Sequence, residues 1–231
     1  IIGIQNYSGE ILFPKPQYYA TAVANFQKSK ELCYFLTPLD ELVLKPKITV
    51  QDAIGDMPEL KGGEKNPEYD YESEPQCEYQ KQLREGSEHI TSHWCSRLSE
   101  INKERLQHIP VGGSWRDIPF DLLPKGLQRA RRSDHTKRYG RLDPNELCST
   151  VLTKCDPHWG SFFHPSQPRT ISVREAARIQ SFPDRYQFTG SMTEQYEQVG
   201  NAVPPLLAKA VGECIQEMIR RADDERATPT K

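Results

Sequence analysis

The sequence lacks any run of about 18 consecutive apolar residues, the length that a membrane-spanning helix requires. It also lacks the basic flank and apolar centre of a secretory signal. Its first residues, Ile1–Ile4, are short and mostly β-branched, so they predict a buried strand. We therefore expect no membrane partner. Because the sequence opens on this strand without a methionine, we also expect a fragment of a longer protein.

Closely spaced cysteine pairs are missing too. The six cysteines are scattered with no Cys-x-x-Cys pair, which predicts reduced thiols in an intracellular compartment and no disulfide framework. His89 and His93, with Cys77 and Cys95 nearby, superficially suggest zinc. Structural zinc sites usually show two closely spaced ligand pairs, and only one His-x-x-x-His pair is present. We therefore predict no metal site.

An excess of charge of one sign is also absent. Thirty Lys and Arg against 32 Asp and Glu give a net charge of −2, so net charge alone does not predict a nucleic-acid partner. The distribution is more informative, because residues 125–141 hold seven basic side chains and one acidic side chain. The length of 231 residues predicts one or two domains. The 18 prolines and a mean hydropathy of −0.73 predict much irregular structure.

Local patterns predict several elements. Thr49 is a candidate N-cap for a short helix, with Asp52 in its first turn. Residues 56–78, with eight acids, two lysines and three prolines, predict a mobile surface loop or linker. Apolar spacing predicts a helix over residues 91–108, and alternation predicts a strand over residues 147–154.

The C-terminal third carries the clearest signals. Ser172 and Glu175 have capping-box spacing, which predicts a helix from Val173 to about Ser181. Residues 200–205 predict a turn that leads into a second helix with proline in its first turn. Apolar pairs recur every four residues along this second helix, and its charged end from Arg220 is expected to fray.

Two of these segments resemble the last motifs of the cytosine-C5 DNA methyltransferases. Residues 169–184, Arg-Thr-Ile-Ser-Val-Arg-Glu-Ala-Ala-Arg-Ile-Gln-Ser-Phe-Pro-Asp, resemble the ninth motif, and residues 198–205, Gln-Val-Gly-Asn-Ala-Val-Pro-Pro, resemble the tenth. Ile1–Ile4 with the later Phe-Pro-Lys-Pro of residues 13–16 resembles the end of the eighth motif. Residues 109–119, with Ile-Pro and then Trp-Arg-Asp-Ile-Pro, resemble part of the target-recognition region of eukaryotic maintenance-type enzymes and their relatives.

The resemblance implies an α/β fold. The chain would be the C-terminal portion of a Rossmann-like S-adenosylmethionine-dependent methyltransferase domain, with an inserted small mixed target-recognition subdomain. The implied division is residues 1–44 for the end of the eighth-motif strand and its following loop, 45–165 for the target-recognition region, 166–220 for the C-terminal catalytic-core segment, and 221–231 for a charged tail.

The resemblance also implies a function and partners. The intact protein would transfer a methyl group from S-adenosylmethionine to C5 of cytosine in double-stranded DNA, after a thiolate adds to C6 of the flipped base. This chain would supply DNA recognition and one wall of the cofactor pocket. The nucleus is the implied location, from the eukaryotic-like Trp-Arg-Asp segment, with the bacterial cytoplasm as the alternative because bacterial enzymes share the final motifs.

Several motifs of the family are absent from the sequence. It has no Pro-Cys dipeptide for the nucleophile, no Glu-Asn dipeptide and no glycine-rich strand-to-helix turn. We therefore expect no catalytic residue in this chain and no activity from it alone. Its expected partner is the remainder of the catalytic domain, on the same or another chain. Two alternatives stay open: the chain is a non-catalytic DNA-binding remnant, or it is one half of a split enzyme. An RNA methyltransferase is a variant of the main interpretation.

The resemblance assigns cofactor contacts to Asn201, Ala202 and Val203, with an ordinary Gly-Asn turn as the alternative. Phe182 matches an aromatic position that can line the same pocket, or it is simple core. A structural role that ties the recognition region to the catalytic core is implied for one acid and three arginines, Arg169, Arg174, Glu175 and Arg178.

The basic stretch supplies candidate DNA contacts. Its arginines could bind phosphates, or the stretch is a solvated surface loop. Residues 150–164 lie where the recognition region of the family would face the major groove. The candidate DNA-binding residues are Arg131, Arg132, Arg138, Arg141, Thr153 and Lys154.

Overall fold

The computed structural model describes residues 9–18, 43–64, 66–131, 133 and 137–227. The chain divides into two compact units, one of residues 47–202 and one of residues 1–46 with 203–231. The predicted strand at Ile1–Ile4 and the candidate Arg132 lie outside the described residues. The finer division that the resemblance implies stays a prediction.

The larger unit is built from short helices joined by long irregular segments. One two-stranded antiparallel ribbon pairs Glu68 with Thr91 and Tyr69 with Ile90. Two 3₁₀ turns, Trp115–Asp117 and Phe120–Leu122, follow the third helix. The elements in chain order are α1 (Val50–Ile54), β1 (Glu68–Tyr69), α2 (Glu78–Arg84), β2 (Ile90–Thr91), α3 (Glu100–Gln107), α4 (Lys125–Gln128), α5 (Val173–Ile179) and α6 (Met192–Asn201).

Three of these helices begin with a capping box. The Thr49 hydroxyl accepts from the Asp52 amide at α1, and the Ser172 hydroxyl accepts from the Glu175 amide at α5. Both caps follow from sequence spacing, because each satisfies an exposed amide within three residues. Ser191 caps α6 in the same way, although the sequence analysis did not identify that helix.

An apolar core lies beside α3 and α4. Phe163 is fully buried there, and its backbone bridges to both Arg141 and Thr170. Three segments of the chain therefore meet at the backbone of Phe163. The buried members of the core are Leu98, Leu106, Ile109, Trp115, Ile118, Leu127, Tyr139 and Phe163.

The prediction of a helix over residues 91–108 is only half right. The helix begins at Glu100, and the residues before it are extended or irregular. Ser92 has a φ of 59°, and the carbonyls of Ser92 and Trp94 accept from the amides of Arg174 and Val173 at the start of α5. These long-range bonds replace the local hydrogen bonds that a helix would need.

The prediction of a strand over residues 147–154 is wrong. Residues 147–154 form no strand in the structure; part of the segment lies against the end of α6, where the backbone at Leu152 closely approaches Gly200. Residues 56–78, predicted to be a mobile surface loop or linker, are anchored to the rest of the unit at several points in their described part. Leu60 is buried, and the Tyr71 hydroxyl donates to Asp184 at 2.7 Å.

The smaller unit contains a long helix, α7 (Pro205–Ala227). Proline is its first residue, as predicted. The first amides of a helix have no acceptor within the helix, so the missing amide hydrogen of proline costs no hydrogen bond there. The predicted fraying from Arg220 is wrong, since the helix continues to Ala227 and Arg220 pairs with Glu217 and Asp224 one turn away. Within the described ranges no helix is long and apolar enough to cross a membrane.

Phe163→Ala should lower the free energy of unfolding by about 3 to 5 kcal/mol, because it empties a fully buried ring site. Phe120→Ala is the matched control: its side chain is 68% exposed, and its effect should stay within about 0.5 kcal/mol. Urea denaturation of both variants measures the difference. Equal losses would contradict the placement of the core.

Candidate functional site

Glu175, in the first turn of α5, lies at the centre of a buried polar cluster. Its carboxylate accepts two hydrogen bonds of 2.7 Å from the Arg169 guanidinium and one of 2.6 Å from the Ser172 amide. Burial alone would raise the pKa of this carboxyl, but the charge and hydrogen bonds of Arg169 hold it well below its usual value. Glu175 is therefore an ionised and fully paired group.

Arg178, one turn later on α5, connects two further segments. It donates to Asp184 at 2.8 and 2.5 Å and to Asp56 at 2.5 Å, and all three side chains are fully buried. Arg84 pairs with the same Asp56. Burial acts to lower the pKa of Arg178, yet the two carboxylates raise it. The pairs tie α1, α2 and the loop after α5 to one helix.

Among the described residues, Arg174 donates to backbone carbonyls and to the Thr91 hydroxyl rather than to a carboxylate. Its guanidinium donates to the carbonyls of Thr91, Pro183 and Tyr186 at 2.9, 3.2 and 2.6 Å. It also lies over the Phe188 ring at 5.3 Å. Burial lowers its pKa to about 10. The side chain therefore joins β2 to the loop that follows α5.

His164 and His93 flank this cluster as neutral rings. Nδ1 of His164 accepts from the amides of Ser166 and Gln167, so the ring proton is on Nε2, which lies 3.6 Å from Glu175. Burial lowers the pKa of His164 to about 4, and burial also lowers that of His93.

His93 donates to the Pro58 carbonyl and accepts from the Ser172 hydroxyl at 2.9 Å. Both of its ring nitrogens are thus used within the protein. In the described part of the chain no group of three or more potential metal ligands occurs.

The candidate cofactor residues fall at the end of α6. The prediction that Gly200 and Asn201 belong to a turn at a helix start is wrong, because both are in the last turn of α6. Ala202 is the C-cap, with extended backbone, and Asn201 is exposed. Val203 is 62% exposed and is part of the smaller unit.

Phe182 is packed rather than open. Its ring lies 5.1 Å from Tyr186 and 5.2 Å from Phe188, between centroids, and only 7% of the residue is exposed. This geometry favours a contribution to an aromatic cluster over direct contact with a ligand. A role of Phe182 at the cofactor stays a prediction.

The candidate DNA residues differ in how exposed their side chains are. Arg131 and Lys154 are exposed, whereas Thr153 is half-buried. Arg141 is half-buried, and its guanidinium donates to the carbonyls of Pro165 and Ile109 at 2.9 and 3.3 Å. Arg141 thus already serves to hold the loop before α5 in place.

Arg138 belongs to a surface group that sequence analysis missed. Its guanidinium lies 5.3 Å from the Trp159 ring, and the ring of His158 meets Trp159 edge-on at 5.3 Å. Trp159 is 55% exposed. The aromatic residues within 157–163 can be recognised in the sequence, but which of their rings faces solvent depends on the tertiary structure.

The model of the family "C-5 cytosine-specific DNA methylase" matches residues 2–217. The chain belongs to this family. The methyltransferase resemblance drawn from residues 169–184 and 198–205 is thereby confirmed.

Similar methyltransferases come from plants and animals. DNA (cytosine-5)-methyltransferase 1A of rice is 39% identical over 74% of this chain, and DNA (cytosine-5)-methyltransferase 4 of Arabidopsis thaliana is 37% identical over 74%. DNA (cytosine-5)-methyltransferase 1 of mouse is 31% identical over 87%. The aligned part spans only 12 to 16% of the length of these relatives.

A solved structure shows the same fold. It is a prophage-encoded E. coli protein described as a DNA modification methyltransferase, with 21% identity and a TM-score of 0.54. The match covers 76% of this chain and 49% of that one. The α/β methyltransferase fold predicted from the sequence is supported at this coarse level.

His164→Asn should reduce the loss of stability of this methylase-family chain in acid. As pH falls below about 6.5, the His164 ring becomes protonated in the unfolded chain. In the folded protein the buried ring stays neutral down to about pH 4, so the free energy of unfolding of the wild type decreases. Asn keeps an acceptor in place of Nδ1 and does not titrate. Between pH 7.5 and 5, the variant should lose about 2 kcal/mol less than wild type.

Urea unfolding at the two pH values measures this. Glu175, Arg169, His93 and Arg141 surround the ring and are unchanged in the variant. A slope for His164→Asn equal to that of wild type would contradict the neutral assignment.

Proposed function

We propose that this chain is part of a DNA (cytosine-5)-methyltransferase that transfers a methyl group from S-adenosylmethionine to C5 of cytosine in double-stranded DNA. The observation that carries the proposal is the family match over residues 2–217. The chain would supply DNA recognition and one wall of the cofactor pocket. The eukaryotic origin of the relatives cited supports a nuclear location.

The nucleophile of the reaction would come from the remainder of the catalytic domain. A cysteine acts as a nucleophile through its thiolate. Burial raises the pKa of the Cys95 and Cys155 thiols, and it raises that of Cys148 to about 12. Burial therefore disfavours the thiolate form of these three residues. The sequence also has no Pro-Cys dipeptide, which supports the view that the chain alone does not catalyse transfer.

The end of α6 is suited to a positively charged cofactor. S-adenosylmethionine supplies the methyl group when bound and carries a sulfonium. The last carbonyls of a helix have no partner within the helix and carry partial negative charge. We assign cofactor contacts to Asn201 and Ala202, with Val203 as a further contact. Phe182 would support the site from the aromatic cluster.

The DNA-binding surface would include the basic stretch and Trp159. Arginine and lysine side chains neutralise phosphates, and each such contact steepens the salt dependence of affinity. Exposed Arg131 and Lys154 are suited to this role, and Arg138 beside Trp159 presents a cation next to a ring that can stack on a base.

Methyl transfer by the reconstituted domain tests the proposal. This chain alone, and this chain combined with the part of the protein that carries a Pro-Cys motif, would be incubated with labelled cofactor and either duplex DNA or RNA. We expect label in 5-methylcytosine of DNA for the combination only. Label in RNA alone, or no label with any substrate, would overturn the proposal.

Asn201→Ala in the reconstituted enzyme should weaken cofactor binding about tenfold, the effect of one lost hydrogen bond of about 1.4 kcal/mol. Affinity for DNA should change less than about twofold. Glu197→Ala, at an exposed position of the same helix, is the control and should leave both affinities unchanged. Calorimetric titration measures both. Equal cofactor affinity in Asn201→Ala and wild type would refute the assignment.

Replacement of Arg131, Arg132 and Arg138 by Gln should lower DNA affinity and flatten its salt dependence. The slope of log affinity against log salt should fall by about 0.9 for each lost phosphate contact. The control removes the same charge from α7, through Lys209, Arg220 and Arg221, and should keep the slope. Fluorescence anisotropy at several salt concentrations gives both values, and an unchanged slope in the first variant would sink the assignment.

A further inference from the structure

Gly200 marks a point of direct backbone contact within the larger unit. A Cβ at this position would lie 2.5 Å from the carbonyl carbon of Leu152 and 2.5 Å from the amide nitrogen of Thr153. Carbon atoms normally pack about 3.5 to 4.0 Å apart. Any side chain here would therefore push the two backbones apart by about 1 Å. Only glycine permits the observed approach.

The contact involves one whole peptide unit of the segment. A Cβ at Gly200 would also lie 2.7 Å from the carbonyl oxygen of Leu152. The carbonyl group of Leu152 and the amide nitrogen of Thr153 therefore lie together against the last turn of α6, and their position defines the register of the segment.

The helix is the more firmly held of the two partners. Tyr196 and Val199 are buried, the Tyr196 hydroxyl donates to the Ile171 carbonyl at 2.8 Å, and Gln180 donates to the Val199 carbonyl at 3.4 Å. Residues 152–154, in contrast, have no regular secondary structure. A side chain added at Gly200 would therefore displace the segment and leave α6 in place.

We infer that Gly200 is a positioning residue that sets the register of the DNA-reading segment, Thr153 and Lys154, against the helix end that holds the cofactor. This inference rests on the proposed function. The bare backbone of Gly200 lets the two segments touch directly, so the base-reading side chains are placed relative to the methyl donor. Misplacement of reacting groups by about 1 Å can cost up to about a hundredfold in rate.

The test uses the reconstituted methyltransferase and duplexes that present cytosine in all sixteen flanking contexts. For wild type, the ratio of kcat/KM between the best and the median context defines its discrimination. Gly200→Ala should reduce this ratio at least tenfold, while cofactor affinity without DNA stays within twofold and Tm stays within a few degrees. The control Gly212→Ala, where a Cβ meets nothing within 4 Å, should keep the wild-type ratio.

A second pair of variants tests the same register without a clash. Leu152→Gly frees the backbone of the segment, whereas Leu152→Ala removes the same contacts of the side chain but keeps the backbone restraint. Discrimination should fall for Leu152→Gly and be retained for Leu152→Ala.

Unchanged discrimination in Gly200→Ala would overturn the inference. So would a fall in discrimination that is accompanied by an equal loss of cofactor affinity and a lower Tm. Equal effects of the two Leu152 variants would also overturn it. An inactive wild-type enzyme would instead contradict the proposed function, so the two failures are distinguishable.

Discussion

The buried ion pairs of two side chains on α5 hold the larger unit together. Glu175 binds Arg169, and Arg178, three residues later, binds Asp56 and Asp184. Each pair joins the short helix to a segment with little secondary structure of its own. The described sheet of this unit has only two short strands. The ion pairs and the apolar core around Phe163 therefore hold its segments together, as strand pairing does in proteins with larger sheets.

Such pairs act more on geometry than on net stability. Taking charges out of water costs several kcal/mol per ion, which the attraction between partners roughly offsets. Removing one partner, however, leaves an uncompensated buried charge and costs about 3 to 5 kcal/mol. The network therefore strongly disfavours alternative arrangements of the loops that carry Arg169 and Asp184. A fixed loop geometry is what a site assembled from irregular segments requires.

The sequence predicted the features that depend on near neighbours. The capping box of Ser172 and Glu175 and the proline start of α7 involve residues within one turn, so their spacing was sufficient. The family motifs identified the segments that matter. The bond between Arg178 and Asp56 joins residues 122 apart in sequence, and no local pattern encodes it. The helix predicted over residues 91–108 failed for the same reason, because Ser92 and Trp94 bond to α5 instead.

Duplex DNA that contains 5-fluorocytosine tests the proposed function most directly. A thiolate that adds to C6 is trapped after methyl transfer, because the fluorine at C5 cannot leave as a proton does. The reconstituted enzyme, treated with cofactor and this DNA, is digested and analysed by mass spectrometry. We expect a cofactor-dependent adduct on a cysteine outside this chain. An adduct on one of its six cysteines, or none at all, would contradict it.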